Sequence, residues 1–177
     1  KGSTCLPPED RLCMIALSDG GEDATVLREF DMATKSFVEG GFVLDEKSQG
    51  GIEWIDADTL LVGRDFGEGT LTESQYPRTA RIWKRGTPIE QAEEIWRGEE
   101  ADVWSGAALL RDQTGEVHGT YAFRAVSFHE TEYFWQHDGE WLRLELPLKA
   151  SPYGLIDGQL LFSTDVVLIA TFWLRGL

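Results

Sequence analysis

The residues best suited to nucleophilic chemistry are a serine in a glycine-containing run and a histidine beside an aspartate. Ser105 lies in residues 103–107 (VWSGA), which lack the first glycine of a G-x-S-x-G nucleophile elbow. The run also begins a predicted strand, whereas a nucleophile elbow joins a strand to a helix. His137 and Asp138 precede Gly139 between two aromatic-rich stretches, which is typical of a hairpin turn. We therefore predict no catalytic residue in this chain.

Two acidic clusters raise the question of a calcium site and of an acid/base pair. Asp19, Glu22 and Asp23 share one turn, but their spacing lacks the alternating ligands and the terminal glutamate of a calcium-binding EF loop. Asp56 and Asp58 are better explained as turn formers between paired strands than as an acid/base pair. No phosphate-binding loop or metal-binding helix motif is present in the sequence. We predict no metal ion and no cofactor.

The two cysteines are informative because they lie close together. Cys5 and Cys13 stand eight residues apart around Pro7 and Pro8. They are either two unrelated buried thiols or a disulfide that closes a short loop, and a disulfide would favour an oxidising compartment such as the periplasm. A zinc site is not expected, because there is no C-x-x-C spacing and the histidines are distant in sequence: His118, His129 and His137.

One polar stretch is a candidate binding loop. Residues 65–78 run for fourteen positions, longer than the usual connection between strands, and long loops are often functional. Tyr76 and Arg78 are its most contact-capable side chains, and we predict a binding role for them. Six tryptophans recur at regular intervals and are predicted for the most part to pack between sheets: Trp54, Trp83, Trp96, Trp104, Trp135 and Trp141.

Composition excludes several classes of partner. The chain has 177 residues, enough for one ordinary domain, and its net charge is −15 at pH 7. Nucleic-acid binding depends on clustered lysine and arginine, so nucleic acid is not an expected partner. No apolar run approaches the roughly 20 residues that span a bilayer, so no membrane association is expected.

Short strands separated by turn residues repeat along the chain. Aromatic positions Phe30, Trp83 and Trp135 recur at intervals of 53 and 52 residues, and Trp54 precedes Trp104 by 50. A period near 50 with four short strands per unit indicates β-propeller blades, whereas a jelly roll or immunoglobulin sandwich has no such period. We predict an all-β partial propeller of about three four-stranded antiparallel blades, approximately residues 4–50, 51–98 and 101–147, with the start of another at 150–177.

The predicted number of blades is too small for a closed ring. Closed propellers typically carry four to eight blades, and an open arc leaves sheet edges exposed. We expect the chain to be a piece of a larger protein rather than one member of a ring of identical chains. Residues 166–174 (VVLIATFWL) contain no turn residue where the next hairpin is expected, so the last blade is predicted to be incomplete and prone to aggregation if unpaired.

Several short motifs stand in a specific order along residues 4–164. They are residues 5–7 (CLP) with Cys13, 17–24 (LSDGGEDA), 28–31 (REFD), 34–35 (TK), 37–42 (FVEGGF), 54–62 (WIDADTLLV), 76–78 (YPR) and 83–88 (WKRGTP). In this order they resemble the propeller of the bacterial prolyl oligopeptidase family of serine peptidases. The resemblance implies a seven-bladed propeller over an α/β-hydrolase domain that carries the Ser-Asp-His triad. No triad position falls on this chain.

The resemblance implies a role without catalysis. We expect these residues to form the substrate-gating portion of a serine peptidase that cleaves short proline-containing peptides. The expected partners are then the α/β-hydrolase domain of the same parent protein and the peptides themselves. Because a triad acts through a positioned base that activates the serine, this portion alone is expected to be inactive.

Two other interpretations remain open at this stage. A stand-alone propeller would bind a peptide or protein partner through the loop of residues 65–78. Alternatively, a disrupted reading frame would leave a remnant without function. The unusual C-terminal run is the reason to keep this interpretation open.

Overall fold

The computed structural model describes residues 2–156, 159–164 and 170–173. These residues form antiparallel β-strands and one short turn of 3-10 helix, Ile89–Gln91. The strands are β1 (Gly2–Cys5), β2 (Leu12–Leu17), β3 (Thr25–Asp31), β4 (Ser36–Phe37), β5 (Val43–Ser48), β6 (Gly51–Asp56), β7 (Thr59–Gly63), β8 (Thr79–Lys84), β9 (Glu93–Arg97), β10 (Trp104–Arg111), β11 (Val117–Ala125), β12 (Thr131–His137), β13 (Glu140–Arg143), β14 (Ser151–Ile156), β15 (Gln159–Ser163) and β16 (Ala170–Trp173).

The strands form four sheets that follow one another along the chain. Sheet I has the order β1-β2-β3-β4, with β5 also paired to β3. Sheet II has the order β6-β7-β8-β9, and sheet III has the order β10-β11-β12-β13. Sheet IV has the order β14-β15-β16 within the described residues. Such consecutive antiparallel sheets are the blades of a propeller, so the prediction of an all-β partial propeller is confirmed.

Alternation of buried and exposed residues explains why these segments form strands. In β3, Thr25, Leu27, Glu29 and Asp31 are buried while the residues between them are more exposed. Successive side chains of a strand point to opposite faces, so this pattern presents one face to the protein interior. Two of these four buried residues are carboxylates, which requires partners inside the protein.

Sheets I and II meet through an aromatic cluster and a buried ion pair. The Phe42 ring lies 4.8 Å from Trp83 and 5.8 Å from Trp54, measured between centroids. Glu29 is 2% exposed, and its carboxylate binds both terminal nitrogens of Arg85 at 2.8 and 3.0 Å. Glu29 also accepts a hydrogen bond from the Phe42 backbone N–H at 2.7 Å, which links the ion pair to the aromatic cluster.

Sheets II and III meet through indole rings. Trp96 of β9 packs 4.9 Å from Phe134 and 5.1 Å from Trp141, between centroids. The Trp141 N–H donates to the backbone oxygen of Ile95 at 2.8 Å, which joins β13 to β9. This second junction is largely uncharged.

The prediction that most of the six tryptophans pack between sheets is confirmed, with Trp104 as the exception. Four of the rings are buried: Trp54, Trp83, Trp96 and Trp135. Trp141 is partly buried against sheet II. Trp104 is 42% exposed, because it is the first residue of β10 and lies at the end of the sheet.

Part of the apolar C-terminal run is paired. Strand β16 pairs antiparallel with β15, with Gln159 opposite Trp173. The other residues of that run, 166–169 and 174, lie outside the described residues. Among the helical segments that the structure describes, none is long and apolar enough to cross a membrane.

Candidate functional site

The predicted binding loop, residues 65–78 between β7 and β8, is held firmly against the next sheet. Within the loop, the Thr72 backbone N–H donates to the Tyr76 oxygen at 2.8 Å and the Arg78 N–H donates to the Thr70 oxygen at 3.0 Å. The Thr72 hydroxyl donates to the Val103 oxygen, and the Glu73 N–H donates to the Glu100 oxygen. The loop is therefore an ordered platform fastened to the segment that leads into sheet III.

Tyr76 is the exposed aromatic residue of this loop. Its ring stands edge-on to Trp104, with centroids 6.2 Å apart, and the two residues are 39% and 42% exposed. Both line a cavity of about 300 Å³ between β6 and β10, whose other walls include Ile52, Pro77 and Phe123. The pair of rings presents flat apolar surface at the mouth of a cleft between two sheets.

Arg78 lies behind the loop and contacts backbone. One terminal nitrogen of its guanidinium donates to the Gly98 oxygen at 2.9 Å, and the residue is half-buried. Its backbone oxygen accepts a hydrogen bond from the Gly98 N–H at 2.8 Å. These contacts fix the loop to residue 98, so Arg78 holds the loop in place while Tyr76 faces outward.

A second cavity adjoins the first along sheet III. Its volume is about 450 Å³, and its lining includes Trp104, Phe128 and His129. Phe128, in the loop between β11 and β12, is 80% exposed. We call Tyr76, Trp104 and Phe128 the aromatic rim, since Trp104 lines both cavities and links the other two rings.

Two tyrosine side chains form part of the wall of the second cavity. Tyr121 and Tyr133 both line it, and their rings lie 6.3 Å apart. Burial raises the pKa of Tyr121 to about 12 and raises the pKa of Tyr133. Both phenols therefore stay protonated near neutral pH and can act as hydrogen-bond donors. The site as a whole can bind apolar rings and a few polar groups.

Ser105 lies next to the rim but carries out a structural role. It is 4% exposed in β10, and its hydroxyl accepts from the Trp96 indole N–H at 2.8 Å and donates to the Phe123 oxygen at 2.7 Å. Both contacts join strands of the propeller. The structure does not bring Ser105 together with any histidine among the hydrogen bonds of the described chain.

The histidine and aspartate pairs lie in hairpin turns. His137 is 3.5 Å from Asp138, which adopts a φ of 48° before Gly139 at 83°, as the turn between β12 and β13 requires. In the β10–β11 turn, His118 lies 2.8 Å from Asp112. Hydrogen bonds from Thr114 and then His118 lower the pKa of the Asp112 carboxyl.

Sequence reasoning did not group Asp112 and His118 with Glu116. Their ligand atoms all lie within 4.8 Å of one another in the β10–β11 turn. The Asp112 carboxylate already accepts from Thr114 and from the Glu116 backbone N–H, which stabilises the turn. The spacing of Asp112, Glu116 and His118 around Gly115 is the signal from which this grouping could have been found.

The acidic turns that were considered for calcium binding and for acid/base chemistry have partners in the protein. Lys47 lies 2.7 Å from Glu22 and 3.3 Å from Asp19, and hydrogen bonds to these two carboxylates raise the lysine pKa. Asp56 accepts from the Asp58 backbone N–H at 2.8 Å in the β6–β7 turn. The first set of contacts joins its turn to Lys47 of β5, and the second stabilises the β6–β7 turn itself.

Cys5 and Cys13 lie opposite each other on β1 and β2 and are joined by a disulfide. The bond closes the turn that contains Pro7 and Pro8. Pro7 packs against Gly115 of the β10–β11 turn, where an added Cβ would come within 2.8 Å of the proline ring. The disulfide lies at the β1–β2 turn, next to the β10–β11 turn that follows the end of β10. Trp104 of the aromatic rim lies at the other end of β10, where the strand begins.

The chain matches a known family over most of its described length. Residues 2–145 match the family model described as prolyl oligopeptidase, N-terminal β-propeller domain. An uncharacterized peptidase of Sinorhizobium fredii is 39% identical over 180 residues, which cover 99% of this chain and 23% of the relative. An uncharacterized peptidase of Rickettsia prowazekii is 32% identical over 101 residues, which cover 53% of this chain and 14% of the relative.

Solved structures share the fold at lower identity. A post-proline cleaving enzyme from Rickettsia typhi superposes with a TM-score of 0.81 at 21% identity, covering 92% of this chain and 25% of that one. Oligopeptidase B from Leishmania major superposes with a TM-score of 0.64 at 12% identity, covering 97% of this chain and 24% of that one. The chain therefore spans about a quarter of the length of each.

Proposed function

Because this chain belongs to the prolyl oligopeptidase family and matches its N-terminal β-propeller domain, we propose that it helps to gate the active site of an attached serine-peptidase domain. In this role the blades form part of a wall that excludes folded proteins and admits short proline-containing peptides. The chain contributes no nucleophile to the reaction. Its contribution is steric selection and contact with the peptide.

The observation that carries this proposal is the match to the family model together with its extent. The match covers residues 2–145, while the chain spans only 23% of the peptidase from Sinorhizobium fredii. The remaining length of such a relative is ample for an α/β-hydrolase domain and further blades. The similar structure from Rickettsia typhi is that of a post-proline cleaving enzyme, which supports proline-containing peptides as the substrate class here.

The aromatic rim supplies a means of contacting such peptides. Proline-rich segments dock against aromatic side chains because their extended conformation is already formed and loses little entropy on binding. Tyr76 and Trp104 stand edge to face and both remain exposed. In the proposal Tyr76 and Trp104 contact the peptide, and Arg78 positions Tyr76 through the Gly98 oxygen.

The gating role is tested in the intact peptidase that carries this chain. We expect cleavage of a short proline-containing peptide and no cleavage of the same sequence placed inside a folded protein. Trp104→Ala is expected to raise KM for the short peptide about threefold to tenfold with little change in kcat, because one aromatic contact is lost. Phe37→Ala, a comparably exposed ring on β4 of sheet I, is the matched control and should leave KM unchanged.

Two results would overturn the proposal. Peptide hydrolysis by the isolated 177-residue chain above a buffer blank would contradict a role without catalysis. Capture of a protein partner that is lost on combining Tyr76→Ala with Arg78→Ala, in a polypeptide without a peptidase domain, would favour the stand-alone binding module instead.

A further inference from the structure

A third cavity lies between sheets I and II, away from the aromatic rim. Its volume is about 460 Å³. Sheet I contributes residues 43–46 of β5, and sheet II contributes residues 64–67, Arg81 and the start of the 3-10 turn. None of its lining residues belongs to either cavity of the rim.

Arg64 in the wall of this cavity is a buried cation without a counter-ion. The residue is 2% exposed, and one terminal nitrogen donates to the backbone oxygens of Thr25 and, at 3.0 Å, Glu46. Its other terminal nitrogen is buried and has no hydrogen-bond partner, and no carboxylate of the described chain forms an ion pair with it. Burial lowers the pKa of Arg64. An uncompensated buried charge is unfavourable, so an anion at this place would be stabilised.

Arg81 presents a second guanidinium to the same cavity. It lies 4.2 Å from the centroid of the Phe66 ring, and its one ion pair in the described structure is a long contact of 3.4 Å with Glu94. The Nε of Arg81 is buried without a hydrogen-bond partner. Two arginines that line one cavity therefore each retain an unused donor.

The rest of the lining divides into an apolar wall and an acidic margin. Leu44, Phe66 and Ile89 form apolar surface. Four exposed carboxylates also line the cavity: Asp45, Glu46, Asp65 and Glu90. The site thus offers cationic donors, an apolar surface and carboxylates within one enclosure.

We propose that this cavity binds an amino acid or short peptide that has an apolar side chain and both termini free. Its terminal carboxylate pairs with Arg64 and Arg81, which offer charge-assisted hydrogen bonds. Its side chain packs on Phe66 and Ile89, and its ammonium group faces Asp45. A phosphate fits this set less well, since the neighbouring carboxylates repel a second negative charge.

The proposal is independent of the gating function and is tested by calorimetry on the 177-residue chain. The probes are the dipeptide Ala-Phe with free termini, its C-terminal amide, and inorganic phosphate. We expect Ala-Phe to bind and the amide to bind at least about tenfold more weakly, because the amide lacks the carboxylate. Phosphate is expected to bind more weakly than Ala-Phe.

Variants separate this cavity from non-specific binding. Arg81→Gln should weaken Ala-Phe binding about tenfold, since a charged hydrogen bond is lost. Arg143→Gln is the matched control, because Arg143 is an exposed arginine paired with Glu132 on sheet III, and it should bind as the unaltered chain does. Arg64→Met tests the buried charge: thermal unfolding in the absence of peptide should shift upward, and the stabilisation that Ala-Phe gives the unaltered chain should disappear.

The contradicting results are equally specific. The proposal fails if Ala-Phe does not bind, if its amide binds equally well, or if phosphate binds more tightly. It also fails if Arg81→Gln and Arg143→Gln bind Ala-Phe with the same affinity, or if folded Arg64→Met keeps the peptide-dependent stabilisation.

Discussion

The junction between sheets I and II differs in chemistry from the junction between sheets II and III. The first contains a buried carboxylate bound at two points by Arg85, standing against the Phe42 ring. The second relies on the indoles of Trp96 and Trp141, each of which donates one hydrogen bond to a residue of the other sheet. A buried ion pair depends on both members being present, whereas aromatic packing loses stability in proportion to the volume removed. One propeller thus uses two physical means of holding adjacent blades.

The largest effect is expected at the charged junction. Glu29→Gln should lower the free energy of unfolding by about 3 kcal/mol, because Arg85 loses its buried partner and keeps its ion pair with the exposed Asp58. Urea denaturation followed by tryptophan fluorescence measures the loss. Glu39→Gln, in an exposed turn of the same sheet, serves as the control and should change stability by less than about 0.5 kcal/mol. Equal stability of the two variants would show that the ion pair does not hold the junction.

The next effect is expected at the disulfide, which joins two strands of sheet I. Replacing Cys5 and Cys13 together by serine should cost about 2.5 kcal/mol, from the loop-closure entropy of an eight-residue separation. Reduction of the unaltered chain should give the same loss. If the double variant is as stable as the oxidised chain, the constraint on the unfolded chain is negligible.

A smaller effect is expected at the aromatic junction. Trp96→Phe should cost about 1–2 kcal/mol, since part of the ring volume and the hydrogen bond to Ser105 are lost. Trp104→Phe, at an exposed ring, is the matched control and should change stability by less than about 0.5 kcal/mol. A cost as large as that of Glu29→Gln would erase the distinction between the two junctions.

The smallest effect concerns a partly buried carboxylate that joins sheets II and III. Glu53 accepts from the Leu109 backbone N–H at 3.0 Å, and burial raises its pKa above the ordinary value of 4.5. The folded chain therefore keeps this proton to a higher pH than the unfolded chain does. Consequently its contribution to stability is present below pH 4.5 and decreases as the pH rises through the folded pKa.

Glu53→Gln removes this dependence while keeping an oxygen that can accept from Leu109. At pH 7 the variant should be more stable than the unaltered chain by less than about 1 kcal/mol, and the difference should vanish below pH 4.5. Thermal unfolding across this pH range gives the comparison. A difference that stays constant with pH would mean that Glu53 titrates alike in the folded and unfolded chain.

The fold could be predicted from the sequence because its signals are local and repeated. The spacing of Phe30, Trp83 and Trp135 reports the blade period, and turn residues such as Asp138 and Gly139 mark the hairpins. Both signals are read from residue types and their positions along the chain, so no knowledge of distant contacts is needed. The all-β partial propeller followed from these residues.

The contacts between blades could not be predicted in the same way. Glu29 and Arg85 are 56 residues apart, and nothing in their own segments distinguishes them from solvated charges on strands. Arg64 follows a strand and precedes a polar loop, a place where an exposed arginine is the ordinary expectation, yet it is buried. The binding role of Tyr76 and Arg78 remains a prediction, although the structure separates an exposed ring from a backbone-bound arginine.

The locality of strand pairing has a consequence for the order in which the chain assembles. No strand pairing in the described residues joins positions further apart than Thr59 and Lys84, which are 25 residues apart. Each sheet can therefore form as soon as its own residues have been synthesised, without waiting for distant partners. The ion pair between Glu29 of sheet I and Arg85 of sheet II cannot form at that stage. Glu29 remains hydrated on a completed first sheet until Arg85 has been added, so the buried ion pair between sheets I and II forms only after β8 has been synthesised.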